Sequence, residues 1–313
     1  MSERKIPGIH HVTAIAGDPQ RNIDFYTGVL GLRLIKLTIN FDDPGTYHLY
    51  YGNEAGAPGT ILTFFPWPGA PHGRLGTGQT TLVSFVIPAG GLKFWMDRLQ
   101  AHKVNFDGPF PRFDEQVLAF ADPDHLQLEL IATAGGAEPW LGGGVPAEHA
   151  IRGFHSITLS LEGHESTAAL LTGVLGFRPL GEAGNRFRYA TGDGGAGATI
   201  DLLCQPELPR GTVAVGNVHH IAWRTPNGAE QREWRQEVGA RGYNVTPVLD
   251  RNYFHSIYFR EPGGVLFEIA TDPPGFTTDE SVEELGKHLK LPEWLEPQRA
   301  KIEQILPKIK LPK

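Results

Sequence analysis

Cysteine is almost absent from this chain. Cys204 stands alone among 313 residues, which excludes an internal disulfide framework and any cysteine-built zinc site. It reads as a small buried hydrophobe. Long apolar runs are missing as well. No stretch of about 18 apolar residues occurs, and the opening MSERKIPGIHHV holds no long apolar segment of the leader type. The expectation is a soluble cytoplasmic protein without a membrane partner. Basic charge is not in surplus either. Lys and Arg number 28 against 35 Asp and Glu, interspersed, for a net charge of −7, which argues against a nucleic-acid partner.

What the chain has in quantity is turn chemistry. Its 39 glycines and 25 prolines predict many short elements rather than long helices. A hydrophobic fraction of 40% with six tryptophans supplies a sizeable core. At 313 residues the chain is long for one core, so two packed domains or a repeat architecture is expected.

A repeat is present. Thr27-Gly-Val-Leu-Gly-Leu-Arg33 recurs as Thr172-Gly-Val-Leu-Gly-Phe-Arg178, an offset of 145. Phe120–Glu129 and Phe259–Glu268 match more faintly at an offset of 139, which Trp95 and Trp234 share. The two halves are therefore related, in the order A-B-A′-B′.

Each quarter carries a common grammar. The first opens with a strand-like run, His11–Ile15. Asp18-Pro19 then supplies an N-cap followed by proline at the first helical position. Ile23, Tyr26, Val29 and Leu30 repeat at helical spacing until Gly31 stops the helix. Three strand-like runs follow, over Leu32–Ile39, Tyr47–Tyr51 and Thr60–Phe65. The second unit runs from Thr81–Ile87 through a helix near Leu92–Ala101 to strands at Leu118–Ala121 and Leu126–Ile131. The third opens at Gly153–Leu161, with a helix near Ser166–Leu175 and a closing strand at Thr199–Leu203. The fourth opens at Val218–Arg224, with a helix near Ala229–Ala240 and strands at Ser256–Arg260 and Val265–Ala270.

These patterns predict an α+β fold of four βαβββ modules paired into two half-open β-barrel domains. The expected bounds are 1–138 for an N-terminal domain of two modules, 139–152 for a glycine-rich linker, and 153–275 for a C-terminal domain of two modules. Residues 276–313 are expected to form a helical tail of one or two amphipathic helices, broken by Pro292 and Pro297.

Histidine placement carries the chemistry. Ile9-His10-His11-Val12-Thr13 opens the first unit and Val218-His219-His220-Ile221-Ala222 opens the fourth. Strand neighbours point to opposite faces, so one histidine of each doublet is expected to face the cavity and the other to face away. Glu268 sits in the apolar run Val265–Ala270, where a buried carboxylate needs a positive partner such as a metal ion. His220 and Glu268 lie on the first and last strands of one unit. The third donor is His11 or His155, since the second unit has Thr81 at the corresponding place. Two imidazoles and one carboxylate make the facial set of non-haem Fe(II) enzymes, and Mn(II), Zn(II) or Ni(II) could use the same donors. Arg251, His255 and Tyr258 place polar donors near the strand of Glu268, and Tyr258 and Glu268 sit across a Pro262-Gly263-Gly264 turn. The isolated histidines His48, His72, His102, His125, His149, His164 and His288 read as ordinary hydrogen-bonding residues. Glu129, the repeat partner of Glu268, reads as an ion-paired relic.

Taken together, these segments resemble the vicinal oxygen chelate (glyoxalase/dioxygenase-like) superfamily. Within it, the chain resembles the hydroquinone and chlorohydroquinone ring-cleaving dioxygenases. The likeness covers nearly the whole chain, through HHVTAI at His10–Ile15, YHLYYG at Tyr47–Gly52, GTILTFFP at Gly59–Pro66, RGFHS at Arg152–Ser156, HHIAW at His219–Trp223, PGGVLFEIAT at Pro262–Thr271 and GFTTDE at Gly275–Glu280. The resemblance implies that His11, His220 and Glu268 hold the metal and that the first and fourth units share its cavity. It also implies supporting catalytic roles for His10, Thr13, His219, Arg251 and Tyr258. Asn252 and His255 depart from the pattern beside those sites and bear on substrate choice. The implied activity is an Fe(II)-dependent, extradiol-type cleavage of a hydroquinone or related phenol, with O2 as the second partner. The rival is a glyoxalase-type isomerase or lyase, which usually needs two carboxylates. Homo-oligomerisation is left open by the sequence.

Overall fold

The computed structural model describes residues 4–312. Residues 1–3 and 313, which the expected bounds 1–138 and 276–313 include, lie outside it. Four units follow one another. The first has β1 (Ile9–Ala16), α1 (Pro19–Ile23), β2 (Arg33–Asn40), β3 (Asp43–Gly52) and β4 (Ile61–Pro66). The second has β5 (Gln79–Ile87), α2 (Leu92–Ala101), β6 (Phe106–Arg112), β7 (Glu115–Ala121) and β8 (Gln127–Ala132). The third has β9 (Phe154–Leu161), α3 (Glu165–Gly173), β10 (Arg178–Ala183), β11 (Arg186–Ala190) and β12 (Thr199–Cys204). The fourth has β13 (Val218–Thr225), α4 (Gly228–Ala240), β14 (Leu249–Asp250), β15 (Phe254–Arg260) and β16 (Leu266–Pro274). Each is βαβββ, as expected.

Local signals explain the element ends. Asp18 accepts the Arg21 N–H at the start of α1, with Pro19 behind it. The helix continues through a π-helical stretch, Asp24–Val29. In both copies of the repeated heptapeptide the second glycine is left-handed, Gly31 at φ +68° and Gly176 at +77°, a conformation that side-chain-bearing residues rarely adopt. The repeat pair Trp95 and Trp234 is fully buried on α2 and α4. Truncating either to alanine would cost about 3–5 kcal/mol.

Four strands escaped the sequence patterns, each for a physical reason. Proline-bearing β6 is an edge strand, where missing N–H groups are tolerated. The opposite edge, β10, is exposed along its whole length and so shows no alternation, and β11 pairs beside it. The two residues of β14 are too short to leave a pattern.

The strands form two eight-stranded curved sheets. Their orders are β14-β15-β16-β13-β1-β4-β3-β2 and β10-β11-β12-β9-β5-β8-β7-β6. The first sheet thus joins unit one to unit four, and the second joins unit two to unit three. Each sheet draws one unit from each half of the chain, with β1 antiparallel to β13 and β5 antiparallel to β9 at the centres.

The central pair β1–β13 is irregular in a symmetric way. Ile9 faces Trp223 and His11 faces Ala222, so His10 is an extra residue. Thr13 faces His220 and Ala14 faces Val218, so His219 is another. Each is a β-bulge. The expectation that the two rings of a doublet would point to opposite faces is therefore corrected. Bulging breaks the alternation, and the rings touch instead.

The tail carries one helix, within the one or two expected. Among the described residues from Phe276 it holds three short 3-10 turns and one helix, α5 (Arg299–Ile305), because Gly286, Pro292, Pro297 and Pro307 interrupt any longer run. It lies along β2 and β3. Leu289 bridges Leu37, and the Tyr47 hydroxyl donates to the Pro307 carbonyl at 3.0 Å. Buried Lys36 pairs with Asp279 at 2.6 Å and with Glu280.

Candidate metal centre

Three side chains from three adjacent strands converge. His11 on β1, His220 on β13 and Glu268 on β16 are all buried. His220 Nε2 lies 2.9 Å and His11 Nε2 3.3 Å from Glu268 Oε2, and the two Nε2 atoms are 3.4 Å apart. Among the described residues, these three form the group of metal-ligating type that gathers closely. His155 is not part of it.

The donors fit a divalent metal on structural grounds. Three donors each about 2.1 Å from one ion stand about 3.0 Å apart at neighbouring octahedral positions and about 3.4 Å apart at tetrahedral ones. The observed triangle spans that range. Glu268 Oε2 is buried and makes no hydrogen bond of acceptable geometry, despite its nearness to two ring nitrogens. Three lone-pair atoms gathered around one point, where an ion would stand, explain this. The other carboxylate oxygen, Oε1, accepts from the Ser256 hydroxyl. Burial alone would raise the Glu268 carboxyl, but facing His11 and His220 hold it well below the ordinary carboxylate range. Burial pushes the His220 imidazole down, against an upward pull from Glu268.

The bulges give each donor histidine a support. His11 Nδ1 lies 3.0 Å from His10 Nδ1, and His220 Nδ1 lies 2.7 Å from His219 Nδ1. With Nε2 kept as a lone pair, Nδ1–H of each donor must donate, so the neighbouring Nδ1 accepts. The neighbours then carry their proton on Nε2. Burial lowers His10 well below the usual histidine value and brings His219 to about 3, so both stay neutral at neutral pH. Such partners fix the tautomer and ring angle of a ligating imidazole.

A cavity of about 420 Å³ opens over the triad. His11, His220 and His219 line it together with Arg251, Tyr258, His48, Tyr50, Phe65, Trp67, Leu249 and Leu266. Tyr258 on β15 pairs directly across from Glu268. Arg251 Nε is 3.4 Å from the Tyr258 hydroxyl, and its guanidinium meets Asp42 at 3.0 Å. Burial and the Glu268 charge push the Tyr258 phenol up, so it stays protonated. Burial opposes the Arg251 charge, but Tyr258 and Asp42 more than offset it and hold the guanidinium cationic. Thr13 lies deeper and accepts from the Thr63 hydroxyl at 2.8 Å. His255 is exposed, between buried Phe254 and Ser256 on β15, and Asn252 adopts a left-handed turn at φ +66°.

Sequence reasoning passed over His48 and Tyr50. Residues two apart on a strand share a face, and a histidine and tyrosine so placed on β3 were the available signal.

The second sheet repeats the arrangement with different chemistry. Its central pair bulges at Thr81 and His155, so His155 corresponds to His10 and His219, not to a donor. Leu82 and Ser156 occupy the donor positions. Glu129 is held by Arg112 in two bonds of 2.7 Å, as its reading as an ion-paired relic implied. Asp201 is held by Arg186 and Arg188, and Glu115 by Arg188 and His155, both at 2.6 Å. Guanidinium groups here neutralise the carboxylates. Cys204 is half-buried rather than buried.

A paired βαβββ sheet whose centre gathers two histidines and a glutamate defines a class. The chain belongs to the Glyoxalase/Bleomycin resistance protein/Dioxygenase superfamily, whose profile matches residues 8–130 and 153–269. It is 51% identical over 302 residues to the Bacillus subtilis (strain 168) protein named "Putative ring-cleaving dioxygenase MhqO", covering 96% of each chain. It is 39% identical over 300 residues to the Chlorohydroquinone/hydroquinone 1,2-dioxygenase of Sphingobium indicum, covering 93% of each. A crystal structure titled a putative dioxygenase from Bacillus subtilis superposes with a TM-score of 0.95 at 49% identity, covering 99% of both chains. The enzyme class these relationships define is ring-cleaving dioxygenase. Among the described residues, no helix is long and apolar enough to cross a membrane.

Proposed function

We propose that the protein is an Fe(II)-dependent, extradiol-type dioxygenase that opens a hydroquinone ring with O2 in the cytoplasm. One observation carries the reading: His11, His220 and Glu268 aim three lone pairs at one point in the wall of a cavity sized for a substituted single ring. In a para-diol the two hydroxyl-bearing carbons are not neighbours. The bond cleaved is therefore beside one of them, which is the extradiol sense.

His11, His220 and Glu268 would hold the metal, and Mn(II) fits the same donors. Divalent iron so held supplies open positions, acidifies a bound phenol and mediates electron flow between phenol and O2. The remaining roles belong to the chain. His10 and His219 lock the donor tautomers through their Nδ1 contacts. His219 keeps an Nε2–H on a ring that lines the cavity. Tyr258, kept protonated, can donate to an oxygen gaining negative charge, and the Arg251 cation beside it steadies that charge. Apolar side chains, Phe65, Trp67, Leu249 and Leu266, exclude water around the ring.

The isomerase alternative wants a second carboxylate. Across the central pair, Glu268 beside Ala222 corresponds to Thr63 beside Thr13. A threonine cannot serve as that base, which favours the dioxygenase.

An oxygen electrode tests the proposal. Protein loaded anaerobically with Fe(II) should consume about one O2 per hydroquinone and yield a ring-opened acid, while E268Q and H220A consume none. Isomerase turnover with Ni(II) or Zn(II), with no oxygen uptake across a broad phenol panel, would overturn it.

A further inference from the structure

A hydroquinone carries two hydroxyls at opposite ends of the ring, and only one can reach the metal donors. The other needs its own partner in the cavity. The symmetry of the first sheet indicates where to look. Tyr258 on β15 stands across from Glu268, and Tyr50 on β3 stands across from Thr63. These are equivalent positions in units four and one, flanking the central strands from either side, and both line the cavity.

The two tyrosines are wired oppositely. Tyr258 sits beside the Arg251 guanidinium, a setting that favours donation toward a negative oxygen. Tyr50 sits at the end of a chain of polar groups. Its hydroxyl lies 2.8 Å from His48 Nδ1, His48 Nε2 lies 2.8 Å from Thr63 Oγ1, and Thr63 donates to Thr13 at 2.8 Å. Thr63 has a single proton, and it is spent on Thr13. Thr63 therefore accepts from His48 Nε2–H, which leaves His48 Nδ1 as an acceptor for the Tyr50 O–H. The Tyr50 oxygen is left with free lone pairs and no proton to give. Ring packing fixes this geometry: the His48 ring lies 4.0 Å from that of Tyr50 and 4.3 Å from that of Phe65.

We propose that Tyr50 is the anchor for the hydroxyl para to the metal-held oxygen, accepting its hydrogen bond, and that His48 is the positioning residue that keeps the Tyr50 oxygen an acceptor. The pocket then reads a para-diol by polarity, with donors at the Arg251 and Tyr258 end and an acceptor at the Tyr50 end. A ring that lacks the distal O–H leaves the acceptor unpaired. The inference rests on the hydroquinone reading above.

The experiment compares hydroquinone with 4-methoxyphenol, whose distal oxygen has no proton, in Fe(II)-loaded wild type, Y50F and H48F. Melting curves establish that the variants fold. In Y50F and H48F the KM for hydroquinone should rise about 10–100-fold. kcat should stay within a few-fold, and the inhibition constant of 4-methoxyphenol should not rise. Equal effects on both ligands, or no effect on hydroquinone, overturn the anchor. If the wild type takes up no oxygen with hydroquinone, the proposed function fails instead. Quenching of tryptophan fluorescence, with Trp67 in the cavity wall, then reads the anchor directly. Tighter binding of hydroquinone than of 4-methoxyphenol, lost in Y50F, supports it, and equal binding overturns it.

Discussion

Filling the triad should make the protein measurably harder to unfold. The three donors come from β1, β13 and β16, so they gather only in the folded chain, and a metal that binds them favours that state. At a free metal concentration one hundred times the dissociation constant, the gain is about 2.7 kcal/mol. Unfolding entropy near 2.1 cal/mol/K per residue, over 313 residues, gives about 0.66 kcal/mol/K, so the melting temperature should rise by about 4 °C. Glu268→Gln preserves shape and the Ser256 contact while removing the charge. Losing a donor should weaken binding at least as much as losing a supporting partner, by about 100-fold or more. At the same metal concentration the gain then falls to about 0.4 kcal/mol and the shift to under about 1 °C. Scanning calorimetry with Mn(II) in air, and with Fe(II) under anaerobic conditions, measures both. A shift of several degrees that survives in both E268Q and H220A would refute the reasoning, because the stabilising ion would then sit elsewhere.

Two further outcomes are expected. H10A and H219A should keep their metal at saturating concentration but lose about 10–100-fold in kcat/KM, since each removes the acceptor that pins a donor ring. Metal analysis beside steady-state kinetics checks this, and complete metal loss from both folded variants would contradict it. In the second sheet, burial pushes the Glu115 carboxyl up, but hydrogen bonds and charge from His155 and Arg188 overcome it and bring it down to about 2. A folded-state value below the unfolded one means stability that is present above about pH 4.5 and is lost as pH falls toward 2. Relative to E115Q, the wild type should be more stable at pH 7 by roughly 1–2 kcal/mol, because solvent screens part of the half-buried ion pairs. Urea midpoints should show that gap shrinking below about pH 4.5, and a gap unchanged near pH 3 would refute the assignment.

Much of the architecture was legible from short-range signals. Asp18-Pro19, the glycines of the heptapeptide repeat and the apolar run around Glu268 act within a few residues of themselves, and the elements follow. The doublets His10-His11 and His219-His220 marked the site because a repeated oddity survives any error in element bounds. The face each ring takes was not legible. A bulge belongs to the pairing of β1 with β13, and the strands that meet there lie some two hundred residues apart. Alternation, read along one strand, contains nothing of its partner. His48 was hidden for a related reason. Its one local sign was the i, i+2 spacing with Tyr50 on β3, and its meaning comes only with Thr63 across the sheet. Edge strands such as β10 and β6, with no buried face to enforce a pattern, left nothing to find.

The pairing of the first unit with the last has a consequence for how the enzyme is made. A ribosome releases His220 some two hundred residues after His11. The second and third units are consecutive, so their sheet can close while synthesis continues. Throughout that interval β1 lacks the strand that belongs at its side, and a bare strand edge invites pairing with another chain. Contacts between such distant segments also form slowly. The triad of His11, His220 and Glu268 can therefore assemble only once β16 has emerged, with just the tail still to follow. A chain stopped before β16 would carry both histidine doublets but lack Glu268, so metal capture by the full triad would report that translation had passed β16.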